Sequence, residues 1–419
     1  MIHELMPDKD LIAGLDIGSS AIRLAVGQNV GDKEKIHIIG SAEVPAEGIS
    51  KGIINSIEDA VSSISACLEK AERMVGVPIQ NAWVGISGGH IISQESRGVV
   101  AVARSDGEIS EDDIERSIEA ARTVATPPNY EILHVIPKSF TVDGQIGIKD
   151  PLGMTGVRIE VDTQIIQGLS SQIKNLTKAV YRTGVNIEDL VLSILATSEA
   201  VLTNRQKELG VAVVNLGGST TSLAVFEEGD ILHTAVLPVG SDHITSDIAI
   251  GLRISIDTAE KIKLEYGSAL TSGLNKRDEV DIGSIEGKES NFVSKKYVAE
   301  ITEARIEEIF DKVDAELKKI DKSGKLPAGI VLTGGGAKID SLAEAAKKRL
   351  RLPATLGRPI EITSAIDKVN DPAFSTAIGL VIWGSQLAGQ RGGGVFGKIF
   401  GSLPDFGKIT NKFKKLLKR

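Results

Sequence analysis

Apolar and polar positions alternate in short bursts at the start of this chain, and the same rhythm returns at its middle. Runs 11–17, 22–26 and 36–42 read as strands joined by polar turns, since side chains one apart face opposite sides of a strand. Positions 56–75 then switch to helical spacing, with Ile57, Val61, Ile64, Leu68 and Val75 on one face. Stretches 209–226 and 230–239 repeat the opening strand–turn–strand pattern. This weak internal duplication predicts two related lobes, each a mixed sheet flanked by helices.

Between the repeats, 88–168 holds its own set of elements. A strand at 81–86 leads into it, a helix is expected near 111–125, and strands around 131–135 and 159–166. That composition reads as a small α+β module inserted into the first lobe. Further on, 302–320 is amphipathic, with Ile306, Ile309, Phe310, Val313, Leu317 and Ile320 as its buried face.

Both repeats turn on glycine. The first reads Asp16-Ile17-Gly18-Ser19-Ser20, the second Asn215-Leu216-Gly217-Gly218-Ser219-Thr220. Glycine permits positive φ and a close approach of backbone to an anion. Successive N–H groups with neighbouring hydroxyls form a nest for phosphate. A third loop, Thr333-Gly334-Gly335-Gly336-Ala337-Lys338, ends an apolar strand and leads to a helix from about Asp340. Bare backbone there offers a flat surface for adenine. Any one such turn is a weak signal; two phosphate loops and an adenine loop in this order are far more specific. Competing nucleotide motifs fail. Gly283 to Glu289 is too short for a P-loop and lacks its hydroxyl, and no dinucleotide fingerprint follows a strand.

At 419 residues the chain is long enough for two or more cores. The lone Cys67 rules out an internal disulfide and fits a reducing cytoplasm, where it reads as a small apolar packing residue. Residues 1–10 have no secretory-signal pattern, and no apolar run approaches the roughly 20 residues of a membrane span. The net charge of −8 is uneven: positions 395–419 carry seven basic residues and one acid, which leaves the body strongly acidic. An acidic body argues against nucleic acid as a partner.

The three loops together resemble the actin-like ATPase superfamily. Inside the insertion, His134-Val135-Ile136-Pro137, Gly147-Ile148-Lys149-Asp150-Pro151-Leu152-Gly153 and Thr155-Gly156-Val157-Arg158 narrow this resemblance to the FtsA family of bacterial cell-division proteins. The similarity runs on through 169–202, 236–249, 329–342 and 374–380. It implies an α/β, actin-like (ribonuclease-H-like) two-domain ATPase fold with an inserted α+β subdomain. The expected plan is a first domain from 1–87, 169–204 and 357–385, interrupted by the family-specific subdomain 88–168. A second domain would comprise 205–260 and 326–356, with a small FtsZ-docking subdomain at 261–325. A flexible linker, 386–394, would precede a membrane-targeting helix, 395–419.

On this resemblance ATP and Mg²⁺ are the expected cofactors. Asp16 would position the metal's water shell, and Gly18, Ser19, Ser20, Gly217, Gly218, Ser219 and Thr220 would hold phosphate. Gly334, Gly335, Gly336 and Lys338 would border adenine. Glu260 and Lys263, one helical turn apart, would meet ribose and adenine or else form a surface ion pair. Four departures bear on chemistry. Asn215 stands where a second Asp is usual, and Ser222 where the loop's last Asp falls. Ser193-Ile194 occupies the place of a Glu-Pro pair whose Glu orients the attacking water. Ala21 also replaces a common Lys. Weak or absent hydrolysis is expected. Lys295 and Arg305 would face the acidic FtsZ peptide or be ordinary solvated charges.

In the tail, Phe406, Ile409, Phe413, Leu416 and Leu417 recur at helical spacing among Lys412, Lys414, Lys415 and other bases. Such a helix lies in a membrane interface, where each nearby base contributes about 1 kcal/mol on an anionic leaflet; packing on the acidic body is the alternative. Expected partners are FtsZ, further copies of this chain, an anionic membrane and other divisome proteins at the insertion. A PilM-like pilus-assembly protein is the second reading and a sugar or acetate kinase the third.

Overall fold

The computed structural model describes residues 11–29, 36–124, 126–275, 277–286 and 290–390. The tail residues named above, from Phe406 to Leu417, lie outside them. Two compact units emerge, one of 11–90 and 174–383, the other centred on Ile91–Ile173. Among the described residues no helix is long and apolar enough to cross a membrane.

The larger unit holds two lobes built on one plan. In the first, strands Leu11–Ile17, Ala21–Asn29 and Ile36–Pro45 form an antiparallel meander. Asn81–Ile86 pairs parallel to the first strand, and Asn186–Leu192 parallel to Asn81–Ile86. In the second, Val211–Leu216, Thr221–Glu227 and Asp230–Leu237 make the meander, with Ile330–Thr333 parallel to the first strand and Ala354–Leu356 beyond it. Over these five strands the order within the two sheets matches position for position. The internal repeat read from the sequence is therefore a real structural duplication.

Helix Ile57–Val75 starts where Ser56 accepts a hydrogen bond from the Asp59 N–H and stops at Gly76, whose φ is 84°. Ser at the N-cap and a left-handed glycine at the end are the expected punctuation. Its buried face centres on Ile64 and Leu68, with Ala60, Cys67 and Ala71 alongside, while Ile57, Val61 and Val75 are half-buried. Small residues let the helix sit close to its sheet. The Cys67 thiol donates to the Ile22 carbonyl at 3.6 Å, and burial pushes its pKa up to about 12. It is a packing residue, as expected.

Three boundaries differ from the sequence reading. The amphipathic helix spans Lys295–Lys319 rather than beginning at 302, because Val298, Ala299 and Thr302 extend its buried stripe. Glu260 and Lys263 share one helix, Ile256–Tyr266, so a domain boundary after 260 would cut through it. The final helix, Ser375–Gln390, runs into the expected linker, since Gln386, Leu387 and Ala388 are good helix formers.

The second unit has a four-stranded sheet in the order Ile91–Ala101, Arg158–Leu169, Tyr130–Val142, Gln145–Ile148. Helix Glu111–Val124 packs on it through Ile114 and Ala121, against Phe140, Val142, Ile159 and Val161. Contact is so close that a Cβ at Gly98 would stand 1.8 Å from the Ser117 carbonyl oxygen.

In the first lobe, Asp189 sits at a register irregularity in Asn186–Leu192, its carboxylate accepting from the Leu190 N–H at 2.8 Å. Burial pushes its pKa from 3.8 up to about 7. The unfolded chain loses this proton first, so stability falls as pH rises from about 4 through 7 and levels off above. Asp189→Asn keeps the acceptor and cannot ionise. Its melting temperature is expected to match the parent near pH 4 and to exceed it by roughly 3 °C at pH 8, as thermal unfolding across that range will show.

Candidate functional site

A cavity of about 640 Å³ in the larger unit is lined from both lobes by the three glycine loops. Every residue expected to hold nucleotide borders it: Asp16, Gly18, Ser19, Ser20, Asn215, Gly217, Gly218, Ser219, Thr220, Glu260, Lys263, Gly334, Gly335, Gly336 and Lys338.

The duplication explains the convergence. Each loop closes the first hairpin of its lobe, Ile17 pairing with Ile22 and Leu216 with Thr221. In the first, the Ser19 hydroxyl accepts from the Gly52 N–H at 2.9 Å. In the second, the Gly217 N–H bonds the Thr220 carbonyl at 2.9 Å. The helix Ser241–Leu252 then begins directly on that loop, its Ser241 and Asp242 N–H groups donating to the Gly217 and Gly218 carbonyls at 2.9 and 2.8 Å.

Asp242 is the residue the sequence reading missed. Its carboxylate accepts from the Ser20 hydroxyl at 3.2 Å and from the Ser219 hydroxyl at 3.0 Å. One acid thus ties the two phosphate loops across the cleft. Its signal was faint: an acid in the first turn of a helix that follows a strand, with no motif around it. A second cross-lobe contact joins the Ser87 and Ser222 hydroxyls at 3.2 Å.

The glycines fit a cradle for a flat, anionic ligand. A Cβ at Gly18 would meet the Ala21 carbonyl oxygen at 2.7 Å, and one at Gly336 the Leu216 side chain at 2.5 Å. Gly334 adopts φ 90°. Gly335 differs: a Cβ there would meet nothing within 4 Å, so its bare face is open to the cavity. Beside it, Lys338 pairs with Asp371 at 2.9 Å.

Glu260 and Lys263 form an ion pair at 2.7 Å whose cation is buried, the Lys263 side chain being 5% exposed and that of Glu260 41%. Its ammonium also donates to the Thr245 hydroxyl at 2.9 Å and the Ser241 carbonyl at 3.4 Å. A buried cation so satisfied is part of the cavity wall.

Asp16 is half-buried at the floor of the cleft. Loss of hydration pushes its pKa up to about 6, against the opposing pull of Arg23. At neutral pH it is an anion. Among the described residues no group of three or more His, Cys, Asp or Glu side chains could enclose a metal. The donor set therefore fits a magnesium ion carried by phosphate and water, with Asp16 as the protein's anionic contact. Ser193 and Ile194, read from the sequence as standing in place of a Glu-Pro pair, are buried in the helix Ser193–Val201.

The expected partner residues behave differently. Arg305 grips Asp247 with two hydrogen bonds of 2.7 and 2.9 Å and also pairs with Glu308. Lys295 lies 5.0 Å from the centre of the Tyr266 ring. Arg305 thus has internal carboxylate partners, while Lys295 is held by an aromatic face.

Comparison with known proteins bears on the whole chain. Residues 212–379 match the family model for cell division protein FtsA, and 88–167 match the model for the SHS2 domain inserted in FtsA. The cell division protein FtsA of Pseudomonas aeruginosa is 38% identical over 376 residues, 90% of this chain and 89% of that protein. The Bacillus subtilis FtsA is 38% identical over 387 residues, 92% and 86% of the two chains, and the Escherichia coli K12 FtsA is 35% identical over 386, 90% and 91%. Among solved structures, a PilM–PilN type IV pilus biogenesis complex aligns with TM-score 0.65 at 16% identity, covering 89% of this chain and 98% of that one. MreB5 of Spiroplasma citri bound to ADP aligns at 0.55 and 15%, covering 93% and 100%. These two likenesses are of fold alone, which is actin-like; the α+β insertion is the SHS2 domain matched at 88–167.

Gly335→Val tests the adenine loop, because the protein itself has room for the added carbons. Thermal stability is expected to stay within about 1 °C of the parent. ATP affinity by calorimetry is expected to fall at least tenfold, about 1.4 kcal/mol; unchanged affinity would place adenine elsewhere.

Proposed function

Because the chain belongs to the FtsA family of cell-division proteins, we propose that it binds ATP with Mg²⁺ in this cleft and tethers FtsZ filaments to the inner face of the membrane. The observation that carries the nucleotide reading is the meeting of two duplicated glycine–hydroxyl turns around one cavity. Gly18, Ser19, Ser20, Gly217, Gly218, Ser219 and Thr220 hold the phosphates. Adenine lies over Gly334, Gly335 and Gly336 near Lys338, with Glu260 and Lys263 at the ribose.

Magnesium, carried in with the nucleotide, offsets phosphate charge there. Asp16 orients its water shell and does so as an anion, above about pH 6. Hydrolysis is slow. Ser193 offers no base for an attacking water, and Asn215 contributes no charge. ATP therefore acts chiefly as a ligand that joins the lobes, and copies of the chain assemble into actin-like filaments.

FtsZ docks on the subdomain that carries Lys295 and Arg305. Because Arg305 is already held by Asp247 and Glu308, it shapes that surface, and Lys295 is the better contact for an acidic peptide. The insertion serves other divisome proteins. The tail helix, with Phe406, Ile409, Phe413, Leu416 and Leu417 toward lipid and Lys412, Lys414 and Lys415 toward headgroups, anchors each copy weakly. A filament sums those contacts into avidity.

Sedimentation with anionic vesicles tests the anchor. The full chain is expected to pellet with them, and a 1–394 truncation to lose most of that binding. Equal pelleting of the two would remove the tail from the mechanism.

A further inference from the structure

Asn215, at the start of the second glycine loop, reaches two helices outside its own sheet. Its amide donates to the Thr197 hydroxyl at 3.3 Å and the Thr376 hydroxyl at 3.1 Å. Thr197 belongs to helix Ser193–Val201 and Thr376 to helix Ser375–Gln390, two helices in close backbone contact at Ala196 and Gly379. Both threonines are buried, at 0% and 3% exposure.

The direction of every hydrogen bond in this cluster follows from counting protons. Thr197 lies 2.7 Å from the Ser193 carbonyl, which can only accept, so the single Thr197 proton goes there. Thr197 and Thr376 hydroxyls are 2.9 Å apart; with the Thr197 proton spent, Thr376 is the donor of that pair. Both oxygens then have lone pairs left and no proton. The group facing them must be a donor. The Asn amide supplies two N–H bonds, and its own carbonyl oxygen lies against bare backbone, where a Cβ at Gly334 would stand 2.2 Å away. An ionised Asp has no proton to give, so its carboxylate would face two proton-poor oxygens in a buried place.

We propose that Asn215 is a positioning residue of the interlobe hinge, whose neutral amide locks the second phosphate loop to both helices and whose replacement by an acid unlocks it. The position in the cleft rests on the nucleotide-clamp reading, but the hinge contact does not require it. The loss of charge at 215 thus serves the hinge, and an Asp here disrupts the loop rather than restoring metal chemistry. The side chains facing 215 from neighbouring elements, Ser222, Thr333, Thr197 and Thr376, carry no charge.

Asn215→Asp in the full chain, melted without nucleotide between pH 5 and 8.5, tests this. A protonated carboxyl has one O–H and replaces one of the amide's two donations, so the variant's deficit is expected to be smallest at pH 5, about 2 °C, and to grow to roughly 5 °C at pH 8.5. The introduced carboxyl holds its proton more tightly in the folded chain than in the unfolded one, so its folded pKa is raised and stability is lost as pH rises. In a Thr197→Val background the pH-dependent deficit is expected to shrink, whereas simple burial of a carboxylate would leave it unchanged. Should the acid variant fail to fold, a cycle of Asn215→Ala and Thr197→Val decides, with their joint cost expected below the sum. A deficit independent of pH, no deficit, or strict additivity would each overturn the proposal. Calorimetry with ATP on the parent is separate: no binding would defeat the clamp and leave the hinge result standing.

Discussion

The cleft between the lobes depends on how closely two helices approach. A Cβ at Gly379 on Ser375–Gln390 would stand 1.8 Å from the carbonyl oxygen of Ala196 on Ser193–Val201. Backbone meets backbone there with no side chain between. The same C-terminal helix presses on the first lobe at Gly14, where a Cβ would come within 2.2 Å of the Ala377 carbonyl oxygen. Interiors packed at this density transmit small shifts instead of absorbing them. This approach sets the distance between two sheets of equal design, and that distance brings their first hairpins face to face.

Charge in the cleft follows from this geometry. Two loops rich in N–H donors make a strongly attractive place for anions. Asp242 supplies one from within, at the head of a helix whose N-terminus favours negative charge. Lys263, deeper in the wall, is neutralised by Glu260 and satisfied by Thr245 and Ser241. These wall charges already have partners: Lys263 pairs with Glu260, Lys338 with Asp371, and Asp242 accepts from two hydroxyls.

What could be read from the chain had local signatures. Glycine next to hydroxyls at the end of an apolar strand marks a nest whether or not the rest of the fold is known, and the repetition of that pattern disclosed both lobes. Ser56 and Gly76 punctuate their helix in sequence as they do in space. Asp242 could not be found this way, because its partner Ser20 lies 222 residues distant. Nor could the meeting of Thr197 with Thr376, 179 residues apart. Arg305 looked available because its partner Asp247 sits on a different helix. Helix starts failed where the sequence offers weak punctuation: Ser294 precedes Lys295 yet makes no side-chain cap. Long-range pairing is a property of the fold, and single residues do not advertise it.

The inserted unit draws its core from its own residues, from Val100 to Val161, with helix Glu111–Val124 closing over its own sheet at Gly98. Ile146, on the edge strand Gln145–Ile148, is 80% exposed and Val157, in the bend before Arg158–Leu169, is 75% exposed, so substitutions there carry little folding penalty. Such a module can drift toward new binding surfaces while the lobes, whose backbones touch at Gly14 and Gly379, stay under strict geometric constraint.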